Sequence, residues 1–518
     1  MNAKLSRREF VASSTALTVA AAMQKTHAEE VMPEQPNVLV IHLDQQRIDC
    51  LGAYGNPDIR TPNVDSLAAD GVRFEHSFCP YPVCTPSRYS LLCGQYVHEH
   101  RGWTNHSTLP PGTATFASIL RKAGYNTKAV GKMHFTPTYL DVGFSEMVLS
   151  EQNGPGRWDD DYHRTLRAEG VVDYNDLEDQ EHYFRKDARD EYWETFGALP
   201  SNLPRAMHST QWAGDRAIET LEGWDASGNL LMVGFIKPHH PFDPPPDMAD
   251  AYDPEKLMVL PGWTDTVPEH DFALSKGYFP NDKLSIPAIQ RAMAYYYATI
   301  EHIDQQIGRM TELLKRKGLY DDAMIVFTGD HGEYMGFHHM LLKGNHMYDP
   351  LSKVPLIIKY PKSAQRGTVS DALVCNLDVA PTILRQAGCT PGDHMHGLDL
   401  ATHPEGREHV FSESRRGHEA MVRTKHRKLL LDPKRNETLL YDLEKDPHEL
   451  TDRSEDPAYA DELAVLTAAI TEWRPFDNLP DTCLDEEAPV IDQPNVPDRH
   501  DGHREQMMAY CRAKMKQA

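Results

Sequence analysis

Four segments of the chain are almost continuously apolar, and each ends in polar or charged residues. They are NVLVIHLD (37–44), LLMVGFIKPHHPF (230–242), AMIVFTGDHGE (323–333) and VPLIIKYP (354–361). Unbroken apolar runs of this length are typical of parallel strands that are covered on both faces. We therefore expect these segments to be strands of a buried sheet.

Helical periodicity occupies the stretches between these strands. The clearest helical patterns cover residues 63–70, 114–124, 289–317 and 376–388. Strands that alternate with helices predict an α/β layered fold. In such sheets ligands bind beyond the carboxyl ends of the strands, which is where Asp44, His239, Asp330 and His331 are expected to gather.

The pattern changes near residue 406. Four short strand-like runs follow one another, HVFSES, EAMVRT, RKLLLD and TLLYDLE. One run with helical periodicity, DELAVLTAAITEW, comes after them. This pattern predicts a small antiparallel sheet with a helix, which we assign to a C-terminal subdomain over 406–476. The Pro- and Asp-rich remainder, 477–518, is predicted to be an extended tail. Residues 147–200 have no clear period and are expected to form a long insertion over one face.

Net charge limits the classes of partner. The 518 residues carry a formal charge of −24. Such a charge argues against nucleic-acid binding, which needs a basic surface. It also repels anionic substrates at long range, so an enzyme that acts on anions needs a local cationic pocket.

The N-terminal segment has the features of an export signal. Lys4, Arg7 and Arg8 precede a modest apolar run from Phe10 to Met23, and small residues follow. The run is too short and too rich in Ser and Thr for a membrane span. SRREFV resembles the twin-arginine motif of bacterial export. We therefore expect residues 1–28 to be removed and the protein to be periplasmic or extracellular, with no membrane association afterwards.

Cys84 stands in an unusual context, CPYPVCTPSRYSLLCGQY (79–96). The cysteines of the chain are scattered and fit no CxxC zinc pattern. The residues alone leave four interpretations of Cys84 open, namely a disulfide partner, a metal ligand, a thiol nucleophile and a residue destined for modification.

Two dipeptides, Asp44-Gln45 and Asp330-His331, each follow a predicted strand directly. An aspartate after a strand more often caps a turn or helix. If both pairs reach the same sheet edge, however, their oxygen atoms are suitable ligands for a hard divalent cation.

Five spaced motifs together resemble the sulfatase family of the alkaline phosphatase superfamily, over residues 37 to about 475. They are Cys84-Thr85-Pro86-Ser87-Arg88 with Leu92-Cys93-Gly94, Gly131-Lys132-Met133-His134, Lys237-Pro238-His239-His240-Pro241-Phe242, Thr328-Gly329-Asp330-His331-Gly332-Glu333 with Lys343, and YDLEKDPHELTD (441–452). The resemblance implies a sandwich in which a large, mixed, mostly parallel sheet lies between helices. It places the catalytic domain at 35–405 and the small antiparallel subdomain after it.

The resemblance also implies a site. Cellular formylglycine-generating machinery converts Cys84 to formylglycine, whose aldehyde hydrate is the nucleophile. The implied metal ligands are Asp44, Gln45, Cys84, Asp330 and His331, and the implied catalytic residues are Cys84, Arg88, Lys132, His134, His239 and Lys343. Among these, the lysines bind sulfate charge, His134 is the base for elimination, His239 serves the leaving oxygen, and Arg88 orients the modified residue. The nearby His240, His338, His339 and His346 are read as structural.

The sequence departs from the commonest sulfatase pattern at two metal positions. Gln45 stands where many members have a second acidic residue, and His331 where many have Asn. Calcium is the expected metal, with manganese or magnesium as alternatives. With Gln45 and His331, the metal positions of this chain resemble those of the phosphonate monoester and phosphodiester hydrolases of the superfamily. Lys132 and His134, in contrast, favour a sulfatase.

The expected substrate is a sulfated carbohydrate, either a polysaccharide or its fragments. Choline sulfate and aryl sulfates are alternative substrates. A secreted carbohydrate-binding protein that has lost catalysis is a third hypothesis, but it predicts a missing nucleophile or ligand, and here each position is filled. The sequence predicts neither the linkage position, the endo or exo mode, nor the oligomeric state.

Overall fold

A large mixed sheet and a smaller antiparallel sheet organise the protein. The computed structural model describes residues 35–272, 278–344, 346–363, 365–474, 489–491 and 503–516. The strands are β1 (Val38–Asp44), β2 (Val72–Phe78), β3 (Asn126–Gly131), β4 (Glu146–Leu149), β5 (Asn229–Pro238), β6 (Met324–Gly329), β7 (Leu356–Lys359), β8 (Thr368–Cys375), β9 (Val410–Ser414), β10 (Glu419–Arg423), β11 (Arg427–Asp432) and β12 (Glu437–Asp442). The large sheet has eight strands in the order β4-β3-β5-β1-β6-β7-β2-β8, and the small one has the order β12-β11-β10-β9.

Helices lie on both faces of the large sheet. The α-helices are α1 (Pro62–Asp70), α2 (Cys84–Cys93), α3 (Val97–His100), α4 (Phe116–Lys122), α5 (Asp161–Ala168), α6 (Tyr174–Gln180), α7 (His182–Arg185), α8 (Asp190–Glu194), α9 (Ser209–Glu222), α10 (Glu269–Phe272), α11 (Ile286–Arg316), α12 (Asp349–Ser352), α13 (Val379–Gln386), α14 (Ala460–Trp473) and α15 (His503–Met515). The predicted α/β sandwich with a large, mostly parallel sheet and a small C-terminal antiparallel sheet is thus confirmed. No helix in the described ranges is both long enough and apolar enough to cross a bilayer.

Strand β1 is the centre of the large sheet and is buried along its whole length. It pairs in parallel with β5 on one side and with β6 on the other. Side chains alternate between the faces of a strand, so Leu39 and Ile41 pack in one core and Val38 and Val40 in the other. The same alternation directs Asp44 to the face of Val38 and Val40, which is the face that α2 covers.

Strand β7, predicted from VPLIIKYP, is buried as expected. It runs antiparallel to both of its neighbours, β6 and β2, whereas β1, β5 and β6 are mutually parallel. Apolarity along a strand reports that both faces are covered, and it carries no information on chain direction.

The longest helix, α11, illustrates how local chemistry sets its limits. Ser285 caps the N-terminus by accepting a hydrogen bond from the Ala288 amide, and Pro287 occupies the first turn, where no N–H partner is needed. Lys315 and Arg316 lie in the last turn, where cations interact favourably with the helix dipole. Its apolar side packs against the core that contains Leu39.

The C-terminal part of the chain matches the prediction except in the tail. Helix α14 packs on the small sheet through Leu466 and Ile470. The tail, predicted to be extended, contains α15, which packs through Met507 and Cys511 against the 147–200 insertion. The Pro- and Asp-rich composition before residue 500 had obscured this short helix. The predicted export signal lies outside the described residues, and the domain boundaries at 405 and 476 stay predictions.

Candidate active site

Four adjacent parallel strands end at one edge of the large sheet, and polar residues follow them. In the spatial order β3-β5-β1-β6, these residues are Lys132, His239, Asp44 and Asp330. Close approach of the backbones at this edge depends on Gly131, because a Cβ there would lie 2.0 Å from the Gly234 carbonyl oxygen. The sheet thus gathers residues that are far apart in sequence, as predicted.

Cys84 is the first residue of α2, directly after the N-cap residue Val83, and its side chain lies at the same edge of the sheet. Its side chain is only 1% exposed. Its Sγ atom lies 3.1 Å from Lys343 Nζ, 3.3 Å from His331 Nε2 and 3.6 Å from Asp44 Oδ1. The sulfur therefore occupies the centre of the predicted site.

The chemistry of this thiol argues against its use as a nucleophile. Burial raises the pKa of the Cys84 thiol to about 11, and the charge of Asp44 acts in the same direction. A reactive cysteine needs a lowered pKa, because the thiolate is the attacking species. Cys84 is also a free thiol rather than half of a disulfide. Of the four interpretations left open by the sequence, modification and metal ligation are the two that fit this environment.

Arg88, one turn further along α2, joins the two aspartates. Its Nε atom lies 2.9 Å from Asp330 Oδ2, and its Nη2 atom lies 3.2 Å from Asp44 Oδ2. Its Nη1 group donates to the Lys132 carbonyl oxygen over 2.8 Å. A planar guanidinium with fixed donors is well suited to hold two carboxylates in one orientation.

The two predicted lysines are held in different ways. Lys132 is fully buried, and its Nζ atom lies 2.6 Å from Asp44 Oδ2. Lys343 Nζ lies 3.1 Å from His239 Nε2 and 3.0 Å from His331 Nε2, and it forms no carboxylate ion pair within the described residues. Lys132 is therefore part of the ion-pair framework, whereas Lys343 contacts only the groups around the sulfur.

Four potential metal ligands converge here. One donor atom from each of Asp44, Cys84, Asp330 and His331 lies within 4.8 Å of the others, and all four residues are buried. The His331 Nδ1–H group donates to the Gly332 carbonyl over 2.9 Å, which leaves the Nε2 lone pair available. Burial and the charge of Lys343 lower the pKa of His331 to about 4, so the ring is neutral, as a metal ligand requires.

Gln45 completes the donor set. It adopts a left-handed conformation, with φ of 63°, immediately after β1. Its Nε2 group donates to Glu333 Oε2, and its Oε1 atom is buried without a hydrogen-bond partner in the described structure. A buried carbonyl oxygen without a partner is costly unless a ligand satisfies it. Oxygen atoms from Asp44, Asp330 and Gln45 with one imidazole therefore fit a divalent cation.

The charges of the site differ from those of the whole protein. Among the predicted residues the cations Arg88, Lys132 and Lys343 outnumber the carboxylates Asp44 and Asp330. Asp44 stays ionised, because Lys132 and the neighbouring cations lower its pKa against the effect of burial. Three cations held in one site suit an anionic substrate even though the chain carries −24 in total.

His134 lies beside Cys84 in a strained backbone conformation, with φ of 59°. Its carbonyl oxygen accepts a hydrogen bond of 2.8 Å from Thr85 Oγ1, and its amide donates to Glu151 Oε1 over 2.9 Å. Its ring Nδ1 atom is buried without a partner in the described chain. Burial and the charge of Lys132 keep the pKa of His134 well below its usual value, so the ring is a free base.

The predicted motif around His239 brings a second histidine with it. The His239 Nδ1–H group donates to the His240 carbonyl over 2.7 Å, so its Nε2 lone pair faces Lys343. Burial and the charge of Lys343 lower the pKa of His239. The Gln152 side chain links this motif to the sheet edge, because it donates to the His240 carbonyl over 2.7 Å and accepts from Lys132 Nζ over 3.3 Å.

The structure thus brings all the predicted site residues together, and it adds residues that the motifs did not indicate. The additional residues are Asn105, Glu151, Gln152, Asp179 and His240. Most of them lie in or beside the 147–200 insertion, which has no regular sequence pattern. Only the doubled histidine in KPHHPF was a visible signal.

Comparisons with known proteins agree with this geometry. The family model for "Sulfatase" matches residues 36–389, and that for "N-sulphoglucosamine sulphohydrolase, C-terminal" matches residues 336–475. An arylsulfatase of Clostridium perfringens is 31% identical over 474 residues, which cover 83% of this chain and 93% of that protein. An N-acetylglucosamine-6-O-sulfatase of Bacteroides thetaiotaomicron is 28% identical over 401 residues, covering 71% of this chain and 70% of its own.

The fold is also similar to a solved structure. The phosphonate monoester hydrolase of Agrobacterium radiobacter superposes with a TM-score of 0.71 at 25% identity, covering 89% of this chain and 100% of that one. The family match spans well over half of the sequence and includes the whole strand-end site. On these grounds the chain belongs to the sulfatase family of the alkaline phosphatase superfamily and is a sulfuric ester hydrolase.

Proposed function

We propose that the protein hydrolyses sulfate esters of carbohydrates, with Cys84 converted to formylglycine as the nucleophile. The observation that carries this proposal is the position of Cys84 Sγ, which is within 3.6 Å of Asp44, His331 and Lys343. A carbohydrate is favoured by the similarity to an N-acetylglucosamine-6-O-sulfatase and by a cavity of about 480 Å³ on the Asn105 and Gln180 side of the site. A cavity of that size accommodates a sugar ring.

Addition of water to the formylglycine aldehyde gives two hydroxyl groups on one carbon; one attacks sulfur and releases the alcohol, and the other later expels sulfate and restores the aldehyde. The residues around Cys84 supply the charges and proton carriers for these events. Lys132 and Lys343 stabilise negative charge on the sulfate oxygens. His134, neutral and without a partner at Nδ1, accepts the proton when sulfate is expelled.

The proton for the leaving oxygen comes from Lys343 and His239 acting as a pair. His239 is neutral, with its Nδ1 hydrogen committed to the His240 carbonyl, so its Nε2 atom carries no proton of its own. The Lys343 ammonium lies 3.1 Å away and shares a proton with that atom. This arrangement refines the expected role of His239, because the lysine is the source of the proton and the imidazole directs it.

We propose calcium as the metal, held by Asp44, Gln45, Asp330 and His331 together with modified Cys84. When bound, a divalent cation lowers the pKa of the nucleophilic hydroxyl and neutralises sulfate oxygens. Three oxygen donors favour calcium, whereas the single imidazole would favour manganese. Metal content measured by mass spectrometry of the purified protein distinguishes the two.

A second candidate function is hydrolysis of phosphonate monoesters or phosphodiesters. It is favoured by the Asp44-Gln45 and Asp330-His331 pairs and by the similarity to a phosphonate monoester hydrolase. The matched substrates 4-nitrophenyl sulfate and 4-nitrophenyl phenylphosphonate share one leaving group. We expect kcat/KM to favour the sulfate ester by at least about 10²-fold, a ratio that differential transition-state binding readily supplies. A preference for the phosphonate would establish the second function instead.

We also propose export through the twin-arginine pathway, which rests on SRREFV and the apolar run after it. Fractionation of a bacterial host that expresses the full chain tests this proposal. The mature protein should be periplasmic and begin near residue 29. Replacement of Arg7 and Arg8 by Lys should leave the precursor in the cytoplasm.

Peptide mass spectrometry tests the central claim. Protein made in a host with formylglycine-generating machinery is cleaved with trypsin, and the peptide 74–88, which contains Cys84, is sequenced. Conversion of the thiol to the aldehyde that provides the nucleophile lowers the mass by about 18 Da at residue 84. An unmodified thiol in such a host would refute formylglycine and with it the proposed chemistry.

A further inference from the structure

His240 is buried next to His239 but has no part in the proposed chemistry. The two rings are stacked, with centroids 4.1 Å apart and an interplanar angle of 25°. The ring of His240 is held from its other side by Asp179, whose Oδ2 atom lies 2.5 Å from His240 Nδ1. A buried carboxylate–imidazole pair beside a reaction centre calls for a specific explanation.

Asp179 is itself firmly positioned. Its Oδ1 atom accepts a hydrogen bond of 2.6 Å from the Tyr192 hydroxyl, and its carbonyl accepts one from the Tyr278 hydroxyl. Burial opposes ionisation of Asp179, but His240 and Tyr192 together bring its pKa below the usual value. The orientation of the His240 ring is therefore determined by an ionised, fully hydrogen-bonded partner.

This pairing determines the tautomer of His240. An ionised carboxylate only accepts hydrogen bonds, so the hydrogen of the neutral ring lies on Nδ1. Burial lowers the pKa of His240 and favours the neutral ring. The Nε2 atom then bears a lone pair, and the contacts of the ring nitrogens with Asp179 and Gln180 are both made at Nδ1.

The position of the ring relates it to the substrate. On one side the His240 carbonyl is linked through Gln152 to Lys132. On the other side Gln180 donates to Asp179 and lines the 480 Å³ cavity. Gln180 Nε2 also lies 3.3 Å from His240 Nδ1, so His240 is connected to Lys132 through Gln152 and adjoins a residue of the cavity wall.

We propose that His240 is a specificity-determining residue whose Nε2 atom accepts a hydrogen bond from a hydroxyl group adjacent to the sulfate ester. The favoured leaving groups are accordingly vicinal diols, such as sugar rings. This inference rests on the proposed function and deepens it, because it identifies the feature of the alcohol that is recognised. An ester without a neighbouring hydroxyl leaves the acceptor unsatisfied, which lowers its kcat/KM.

Two matched substrate pairs test the proposal with the modified, metal-loaded full chain. The first pair is phenyl sulfate and 2-hydroxyphenyl sulfate, and the second is methyl glucopyranoside 4-sulfate, whose 3-hydroxyl is vicinal to the ester, and its 3-deoxy analogue. Released sulfate is measured for the wild type and for His240→Phe, which keeps the ring volume and the stacking but removes the acceptor. We expect the wild type to favour the hydroxylated member of each pair by about tenfold, and His240→Phe to lose that preference.

The conservative variant His240→Gln is the matched control. Its Oε1 atom is a hydrogen-bond acceptor, so part of the preference should return, and thermal unfolding of both variants checks that they remain folded. An equal loss of kcat/KM for both members of a pair would overturn the proposal, because it would show that His240 only positions His239. Equal rates for both members in the wild type would overturn it as well.

The two pairs also separate this inference from the proposed function. Turnover of the aryl pair without any turnover of the sugar pair would refute a carbohydrate substrate, yet the aryl pair would still report on His240. Preference for the hydroxylated sugar in both the wild type and His240→Phe would support the carbohydrate and overturn the role of His240.

Discussion

The strand-end side of the active site and the side formed by the insertion are built from different interactions. At the strand ends, buried ion pairs join Asp44, Arg88 and Lys132. On the insertion side, mostly hydrogen bonds hold Gln152 and His240, and Asp179 at the end of α6 provides the one to the His240 ring. In the proposed function the first side provides the charge that binds sulfate, and the second provides hydrogen-bonding groups for the alcohol.

This difference teaches how one scaffold separates reaction from selectivity. Removal of one partner from a buried ion pair leaves an uncompensated charge and costs about 3–5 kcal/mol, so the strand-end residues tolerate little change. On the insertion side the hydrogen bonds to carboxylates such as Asp176 and Asp179 contribute about 1.5–3 kcal/mol each, so a single exchange there should cost less than at the strand ends.

The largest effect is expected for Cys84→Ala. Because this change removes the nucleophile precursor, kcat should fall by at least about 10³-fold, as for other enzymes that lose a nucleophile. The side chain takes part in no ion pair, so the melting temperature should change by less than about 3 °C, which corresponds to about 1 kcal/mol in a large domain. Steady-state kinetics and calorimetry measure the two quantities, and substantial turnover would show that another group attacks sulfur.

Metal removal should have the next largest effect. Dialysis against a chelator is expected to lower kcat by at least about 10²-fold, since the metal provides charge stabilisation of several kcal/mol. It should also lower the melting temperature, because a ligand that binds only the folded state stabilises it. Re-addition of calcium should restore both properties. Recovery with manganese alone would show that the His331 ligand dominates the choice of metal.

The two lysines sharpen the contrast within the strand-end side. Lys343→Met and Lys132→Met should each lower kcat/KM by about 10²-fold through loss of a charge that binds the transition state. Only Lys132→Met should also destabilise the fold, by about 3 kcal/mol, because it removes an ion-pair partner from buried Asp44. Urea unfolding of both variants provides the comparison. Equal destabilisation would contradict the different roles assigned to the lysines.

On the insertion side, Gln152→Ala is expected to have a moderate effect. The change removes the bridge between Lys132 and the His240 carbonyl, so kcat/KM should fall by about tenfold. The unfolding free energy should fall by about 1.5–3 kcal/mol, since the lost hydrogen bonds include those to the charged Lys132 and Asp176 side chains. A loss of 10³-fold would place Gln152 with the strand-end charges instead.

The smallest effect on activity is expected from the C-terminal subdomain. Leu466→Ala in α14 removes a buried side chain beneath the small sheet and should destabilise the protein by about 2–5 kcal/mol. The exposed neighbour Val465 is the control, and Val465→Ala should change stability by less than about 0.5 kcal/mol. Both variants should retain wild-type kcat at 25 °C. A large loss of kcat in Leu466→Ala would link the small sheet to the reaction.

Much of the fold could be predicted from the sequence alone, because buried strands have apolar runs that are visible in the local sequence. Continuous apolar runs predicted β1, β5, β6 and β7, and short strand-like runs separated by brief turns predicted the small sheet. Strands β2, β3, β4 and β8 were not predicted. Their sequences VRFEHSF, NTKAVG, EMVL and TVSDALVC are short or mix polar and apolar residues, and their neighbours in the sheet stabilise them. The direction of β7 likewise depends on pairing, which is a tertiary property.

The candidate site divides in the same way. Cys84, Arg88 and Asp330 belong to short contiguous motifs, and their identities were readable because that chemistry needs those residue types at that spacing. The partners of these residues could not be read from the chain, because a hydrogen bond between Asp179 and His240 joins positions that are 61 residues apart. Short motifs thus predicted which residue types the proposed reaction uses, whereas the tautomers and pKa values of those residues depend on neighbours that only tertiary packing brings to them.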